Sequence, residues 1–216
     1  MTVLAVLTLP DWLAPAGRRE DVVAGHRVCV PERWWRDAIS RWNLPGDPPA
    51  SSLTRASVWT PADDVFTLLW RVLAWGSGSR LRQNGRRLAG IAADVDRSED
   101  LLRRAAELAV TGSPAEAFAV FRPAGRNELP WLGPSFFTKF LYFAGQGVPE
   151  HRCVILDRVV ATALPGQCGW DSLHPVGGWP ASTYERYSDL LARWAQERDR
   201  AADEIEYALF TSKGHP

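Results

Sequence analysis

Long apolar runs are missing from these 216 residues. No stretch approaches the roughly 20 residues that a membrane-spanning helix needs. Met1–Pro10 is short, lacks a basic flank and runs straight into Asp11, so no secretion signal is expected either. Cysteine is scarce. Cys29, Cys153 and Cys168 are odd in number and far apart, which predicts buried reduced thiols rather than a disulfide framework, and a cytoplasmic protein. His26, His151, His174 and His215 lack the paired short spacings of zinc ligands, so no catalytic metal and no cofactor are expected. Neither sign of charge is in excess, with 25 Lys+Arg against 25 Asp+Glu. That balance speaks against indiscriminate polyanion binding, but the distribution is uneven. GSGSRLRQNGRRL, from Gly76 to Leu88, carries Arg80, Arg82, Arg86 and Arg87 and no acid, whereas the C-terminal stretch is rich in Asp and Glu.

What is present is an ordinary folding composition, 46% hydrophobic and 23% charged, with repeated helix signals. PERWWRDAISRW, Pro31–Trp42, predicts a short helix with Pro in its first turn. Thr60–Trp75 predicts another, with Thr60 as N-cap, Pro61 at the first position, Asp63 and Asp64 in the first turn, and Gly76 and Gly78 as the stop. Asp96–Val110 and Ser113–Phe121 follow, the latter with Ser113 and Glu116 placed for a capping box. After the Pro- and Gly-rich corner RPAGRNELPWLGP comes Ser135–Ala144, SFFTKFLYFA, with Ser135 read as its cap. CVILD reads as an extended segment entering the core, and Asp157 stands as N-cap of RVVATAL. Ser182–Phe210 is amphipathic, with Tyr187, Leu190, Leu191, Trp194, Ile205 and Leu209 at helical spacing. The expectation is an all-α fold of about eight to ten helices forming one domain over 1–216.

The chemistry concentrates in ELPWLGPSFFTKFLYFAGQGVPEHRCVILDRVVATAL. A tight LPWLGPS corner before a helix turns backbone N–H groups outward, where the helix dipole also favours an anion, a phosphate seat that needs no basic side chain. Leu132, Gly133 and Ser135 are the candidates there, with Arg80 and Arg82 as further phosphate contacts. Lys139 stands in an otherwise apolar helix, with Tyr142 and Phe143 on its face by three- and four-residue spacing. Burial among aromatic rings disfavours a charged amine, and a neutral amine is a nucleophile able to attack a sugar C1′. Asp157, eighteen residues on, can return beside it through a loop and an inward segment. A carboxylate at a helix N-terminus suits the stabilisation of a growing oxocarbenium charge.

These residues resemble the helix-hairpin-helix, Gly/Pro, Asp signature of the base-excision DNA glycosylases, in particular their 8-oxoguanine branch and its archaeal-type members. The resemblance covers about Leu129–Leu164, and the hairpin and catalytic segment falls at about 114–164. It implies a helical fold with the active-site cleft between two halves, Lys139 as the nucleophile forming a Schiff base at C1′, Asp157 as its acidic partner, and Phe143 stacked on a base extruded from damaged double-stranded DNA. Strand cleavage by β-elimination would accompany excision, and the protein would act as a monomer. The usual hairpin reads like LPGVG, whereas Pro130, Trp131, Leu132, Gly133 and Pro134 place their glycine differently.

Plainer accounts stand beside these. A lone lysine on a half-buried helix ordinarily snorkels, Asp157 alone is an ordinary cap, and Phe136, Phe137 and Phe140 read as core. Trp75 and Gly76 fit a base pocket, but a helix end with a packed Trp is the preferred reading. The alternatives for the whole chain are a glycosylase for another damaged or phage-type modified base with a defence role, a non-catalytic hairpin module that grips DNA, and a helical scaffold that binds protein.

Overall fold

The computed structural model describes residues 7–14 and 17–212. Among these the chain forms ten α-helices: α1 (Glu32–Arg41), α2 (Arg55–Trp59), α3 (Val65–Ser77), α4 (Asn84–Ala92), α5 (Val95–Thr111), α6 (Pro114–Phe121), α7 (Pro134–Ala144), α8 (Arg158–Cys168), α9 (Ala181–Arg198) and α10 (Ala202–Thr211). A short antiparallel ribbon, β1 (Arg27–Cys29) with β2 (Ser52–Thr54), pairs Val28 with Leu53 and carries no sequence period long enough to announce it. The fold is all-α, as the patterning predicts, and none of the described helices is long and apolar enough to cross a membrane.

Two helix starts differ from expectation, and proline explains both. Thr60 does not open α3. It closes α2, because the residue before Pro61 is driven out of the helical region, and Asp64 caps α3 instead. Asp64 Oδ1 accepts from the N–H groups of Phe66 and Thr67 at 2.8 and 2.9 Å. In α7, Pro134 takes the first position and holds Gly133 extended as the N-cap, so Ser135 lies inside the first turn. The Ser113–Glu116 capping box and the Asp157 cap form as expected. The acidic tail divides into α9 and α10 at Asp199, which turns left-handed with φ 53°.

Helix α7 runs through the core, packed by α3, α5 and α6. Phe137 stacks on Phe121 at 5.2 Å and meets Phe118 edge-on at 4.7 Å, contacts that hold the helix in one rotation about its axis. That rotation decides where Lys139 points.

Candidate active site

The extended segment between α7 and α8 has no ladder to satisfy its buried backbone, so side chains must do so. Thr138 Oγ1 lies 2.8 Å from Pro134 O and 3.0 Å from Leu156 O, and accepts from Leu156 N at 3.3 Å. From the other side Tyr184 and Tyr187 of α9 donate to the carbonyls of Val154 and Ile155 at 2.9 and 2.7 Å. Residues 153–156 are thereby fixed between α7 and α9, and the next residue, Asp157, emerges beside Lys139.

Lys139 Nζ donates to Asp157 Oδ2 at 2.9 Å and to the carbonyl of Ser135 at 3.0 Å. The two side chains are 8% and 15% exposed. Asp157 divides its work between two oxygens, because Oδ1 caps α8 by accepting from Val159 and Val160 at 2.9 and 3.3 Å. Burial pushes its carboxyl upward, but the Lys139 charge and hydrogen bond and the two N–H groups outweigh burial and hold it below the ordinary 3.8. The carboxylate is therefore an anion at neutral pH. The expected aromatic setting of the amine gives way to a salt bridge with Asp157.

The pair forms one wall of a cavity of about 120 Å³. Trp75, Gly76, Val28, His26 and Phe210 form the other walls, and Arg55, Ile155 and Glu206 also face it. Gly76 is needed for close approach: a Cβ there would stand 3.1 Å from Lys139 Cδ and 3.1 Å from Phe136 Cε1. Trp75 is anchored by its indole N–H, which donates to His26 O at 3.3 Å. Arg55 Nη1 bonds Glu206 Oε2 at 2.7 Å, and both side chains are essentially sealed from solvent. Burial raises the Glu206 carboxyl above its ordinary value against the pull of Arg55. Sequence reasoning missed Arg55 and Glu206, which are far apart in the chain. The one available signal was the spacing of Asp203, Glu206 and Phe210 on a single face of α10.

Trp75 and Gly76 thus join Lys139 and Asp157, while Phe143 and Tyr142 do not. Phe143 is fully buried behind Trp75, edge-on at 5.2 Å. The Tyr142 hydroxyl donates to Asp203 Oδ2 at 2.8 Å, and neither residue lines the cavity. Helical side chains lean toward the N-terminus, so the lysine amine reaches back over the preceding turn. Its aromatic neighbour is Phe136, 6.0 Å from Nζ, which the sequence pattern assigns to the core.

The corner before α7 carries the other candidates. Leu132 is buried and packs, Gly133 caps the helix without a side chain, and Asn127 Nδ2 stands 4.0 Å from the Cβ position of Gly133. Trp131 is 52% exposed in the left-handed region, φ 65°, a conformation that costs a non-glycine residue about 1 kcal/mol or more. Arg87 holds it there: Arg87 Nε donates to Trp131 O at 3.0 Å and Nη1 to Arg82 O at 2.7 Å. Burial lowers the Arg87 guanidinium to about 10. Arg80 and Arg82 are exposed on the loop that Arg87 ties to the corner. A larger depression of about 680 Å³ is lined by Arg18, Arg19, Arg152 and Arg200, but each of these arginines is already paired with an acid. Among the described residues no group of His, Cys, Asp and Glu is arranged to hold a metal.

A helical chain with a lysine and an aspartate joined in a cavity wall invites comparison with DNA glycosylases, and a family-model match places it in that class. Residues 21–210 match the family described as "Putative 8-oxoguanine DNA glycosylase OGG-like protein", and the chain belongs to that family. No curated protein and no solved structure matches it significantly.

Proposed function

We propose that the protein is a helix-hairpin-helix DNA glycosylase that excises 8-oxoguanine from duplex DNA, with Lys139 as nucleophile and Asp157 as electrostatic partner. The observation that carries this reading is the 2.9 Å Lys139–Asp157 contact at the edge of a cavity walled by Trp75 and Phe210. The N-terminus of α7 receives a phosphate through the backbone N–H groups of Gly133 and Ser135, whereas the Leu132 N–H is already given to Leu129 O at 3.2 Å, and Arg80 and Arg82 add exposed positive charge nearby.

The ion pair sets the order of events. As the bond between C1′ and the base nitrogen breaks, its electron pair leaves with the base, and the Asp157 anion offsets the positive charge growing on the sugar. The departing base takes a proton from the Lys139 ammonium. The amine so released adds to C1′, and a second amine proton passes to the ring oxygen as the sugar opens to a Schiff base. Loss of a 2′ proton then expels the 3′ phosphate by β-elimination, and water hydrolyses the imine to return lysine. Trp75 stands in the cavity wall where a base-stacking ring is required, with Phe143 as its backing.

Borohydride reduces a Schiff base to a stable amine, so incubation with an 8-oxoguanine duplex and borohydride should yield a covalent protein–DNA adduct. A lesion panel run beside it identifies the base. No adduct on any lesion would leave a DNA-gripping module without chemistry.

A further inference from the structure

Nine buried side-chain nitrogen and oxygen atoms lack a hydrogen-bond partner among the described residues. Four belong to three residues that line this one cavity: Arg55 Nε and Nη2, Glu206 Oε1 and His26 Nδ1. Buried polar groups are nearly always satisfied, and leaving a charged one bare is costly, so such a cluster marks a place where a ligand completes the bonding. Arg55 makes the point most sharply. Nη1 is engaged by Glu206, and by the Tyr142 hydroxyl at 3.4 Å, while the rings of Trp75, Tyr142 and Tyr207 lie 5.2 to 5.5 Å from its guanidinium carbon. Nε and Nη2 lie on one edge of the guanidinium and form a two-pronged donor. Glu206 Oε1 adds a bare acceptor from the same ion pair.

We infer that Arg55 and Glu206 are the specificity-determining pair of the cavity, selecting an extruded base that presents a carbonyl oxygen beside a ring N–H. This rests on the glycosylase reading above. The oxidised edge of 8-oxoguanine has that pattern, with an N–H at position 7 between two carbonyl oxygens: Glu206 Oε1 accepts from the N–H and the Arg55 fork donates to a carbonyl. Undamaged guanine offers two acceptors on the same edge, so its bare nitrogen faces the Glu206 carboxylate. A site that hydrogen-bonds its substrate discriminates strongly against an analogue that leaves its buried polar groups unpaired.

The test separates reading from chemistry by using two duplexes, one with 8-oxoguanine and one with an abasic site, which carries the C1′ aldehyde but no base. Arg55→Met and Glu206→Gln should lower single-turnover excision of 8-oxoguanine about a hundredfold or more. Borohydride trapping on the abasic duplex should stay within about threefold of the unmodified protein, since Lys139 needs no base there. The double variant Arg55→Met with Glu206→Met replaces the pair by apolar groups, a change often neutral for folding, and should show the same split. Unchanged excision of 8-oxoguanine, or equal loss of both activities in the folded double variant, would overturn the assignment. Failure of the unmodified protein to trap abasic DNA would refute the glycosylase reading itself, and the inference with it.

Discussion

Replacing Asp157 by Asn isolates the charge of the pair from the cap. Asparagine and aspartate cap helices about equally well, so the bonds to Val159 and Val160 survive and the loss falls on the 2.9 Å contact with Lys139. Removing one partner of a buried ion pair costs about 3–5 kcal/mol when the remaining charge is wholly uncompensated. Here the Ser135 carbonyl still holds the amine at 3.0 Å and Asp157 keeps 15% exposure, which brings the expected destabilisation to about 2–3 kcal/mol. Lys139→Met strands the carboxylate instead, with the α8 cap as compensation. The double variant strands neither charge, so the cycle should return a coupling energy of about 2 kcal/mol. Urea unfolding of the four proteins at pH 7, with unchanged m values, measures it. On DNA, Asp157→Asn should bind an abasic duplex within a few-fold of the unmodified protein and excise about 10²–10³-fold more slowly. A coupling below about 0.5 kcal/mol, the size found for exposed ion pairs, would refute the picture of a desolvated pair.

Burial, with help from Arg55, lowers His26 to about 4 from 6.5. Because the folded value is depressed, the unfolded chain protonates first as the pH falls, so the stabilisation is whole above about 6.5 and is lost toward 4. About 2 kcal/mol should disappear over that window after allowance for the partial exposure of the ring, and His26→Asn should flatten the profile. An unaltered slope in the variant would contradict this. Gly76→Ala places a methyl 3.1 Å from Lys139 Cδ. The roughly 1 kcal/mol gained in helix propensity should leave the melting temperature little changed, whereas misplacement of the amine should slow borohydride trapping about tenfold. Equal trapping rates would show that the cavity tolerates the methyl. Arg80→Ala and Arg82→Ala should each reduce the slope of log affinity against log salt by about one for an 8-oxoguanine duplex. An unchanged slope would mark these arginines as a solvated face.

The parts of the site legible in the sequence are those set by local rules. Asp157 ahead of an apolar helix and an eighteen-residue return from Lys139 each constrain their neighbours directly, and the structure joins the lysine and the carboxylate as that spacing allows. Phe143 illustrates the limit: helical spacing gives the face it shares with Lys139 but not the backward lean of the lysine side chain, which carries the amine to Phe136 instead. Arg55 and Glu206 escape the local rules because each looks ordinary at home. Arg55 follows a short ribbon strand in SLTRASVW and Glu206 sits in the acidic run DEIEY, both resembling solvated surface until tertiary packing seals them together. Trp131 in a left-handed turn is likewise held by Arg87 from a distant helix, a constraint with no local trace.

The chain carries one lysine besides Lys139, Lys213, so an adduct can be assigned to a single amine by peptide mapping. Incubation with an 8-oxoguanine duplex under borohydride, with Lys139→Gln in parallel, therefore tests whether Lys139 is the nucleophile. A covalent adduct that maps to Lys139 and is absent from the variant is expected. No adduct from the unmodified protein, or equal base excision by Lys139→Gln, would contradict that role.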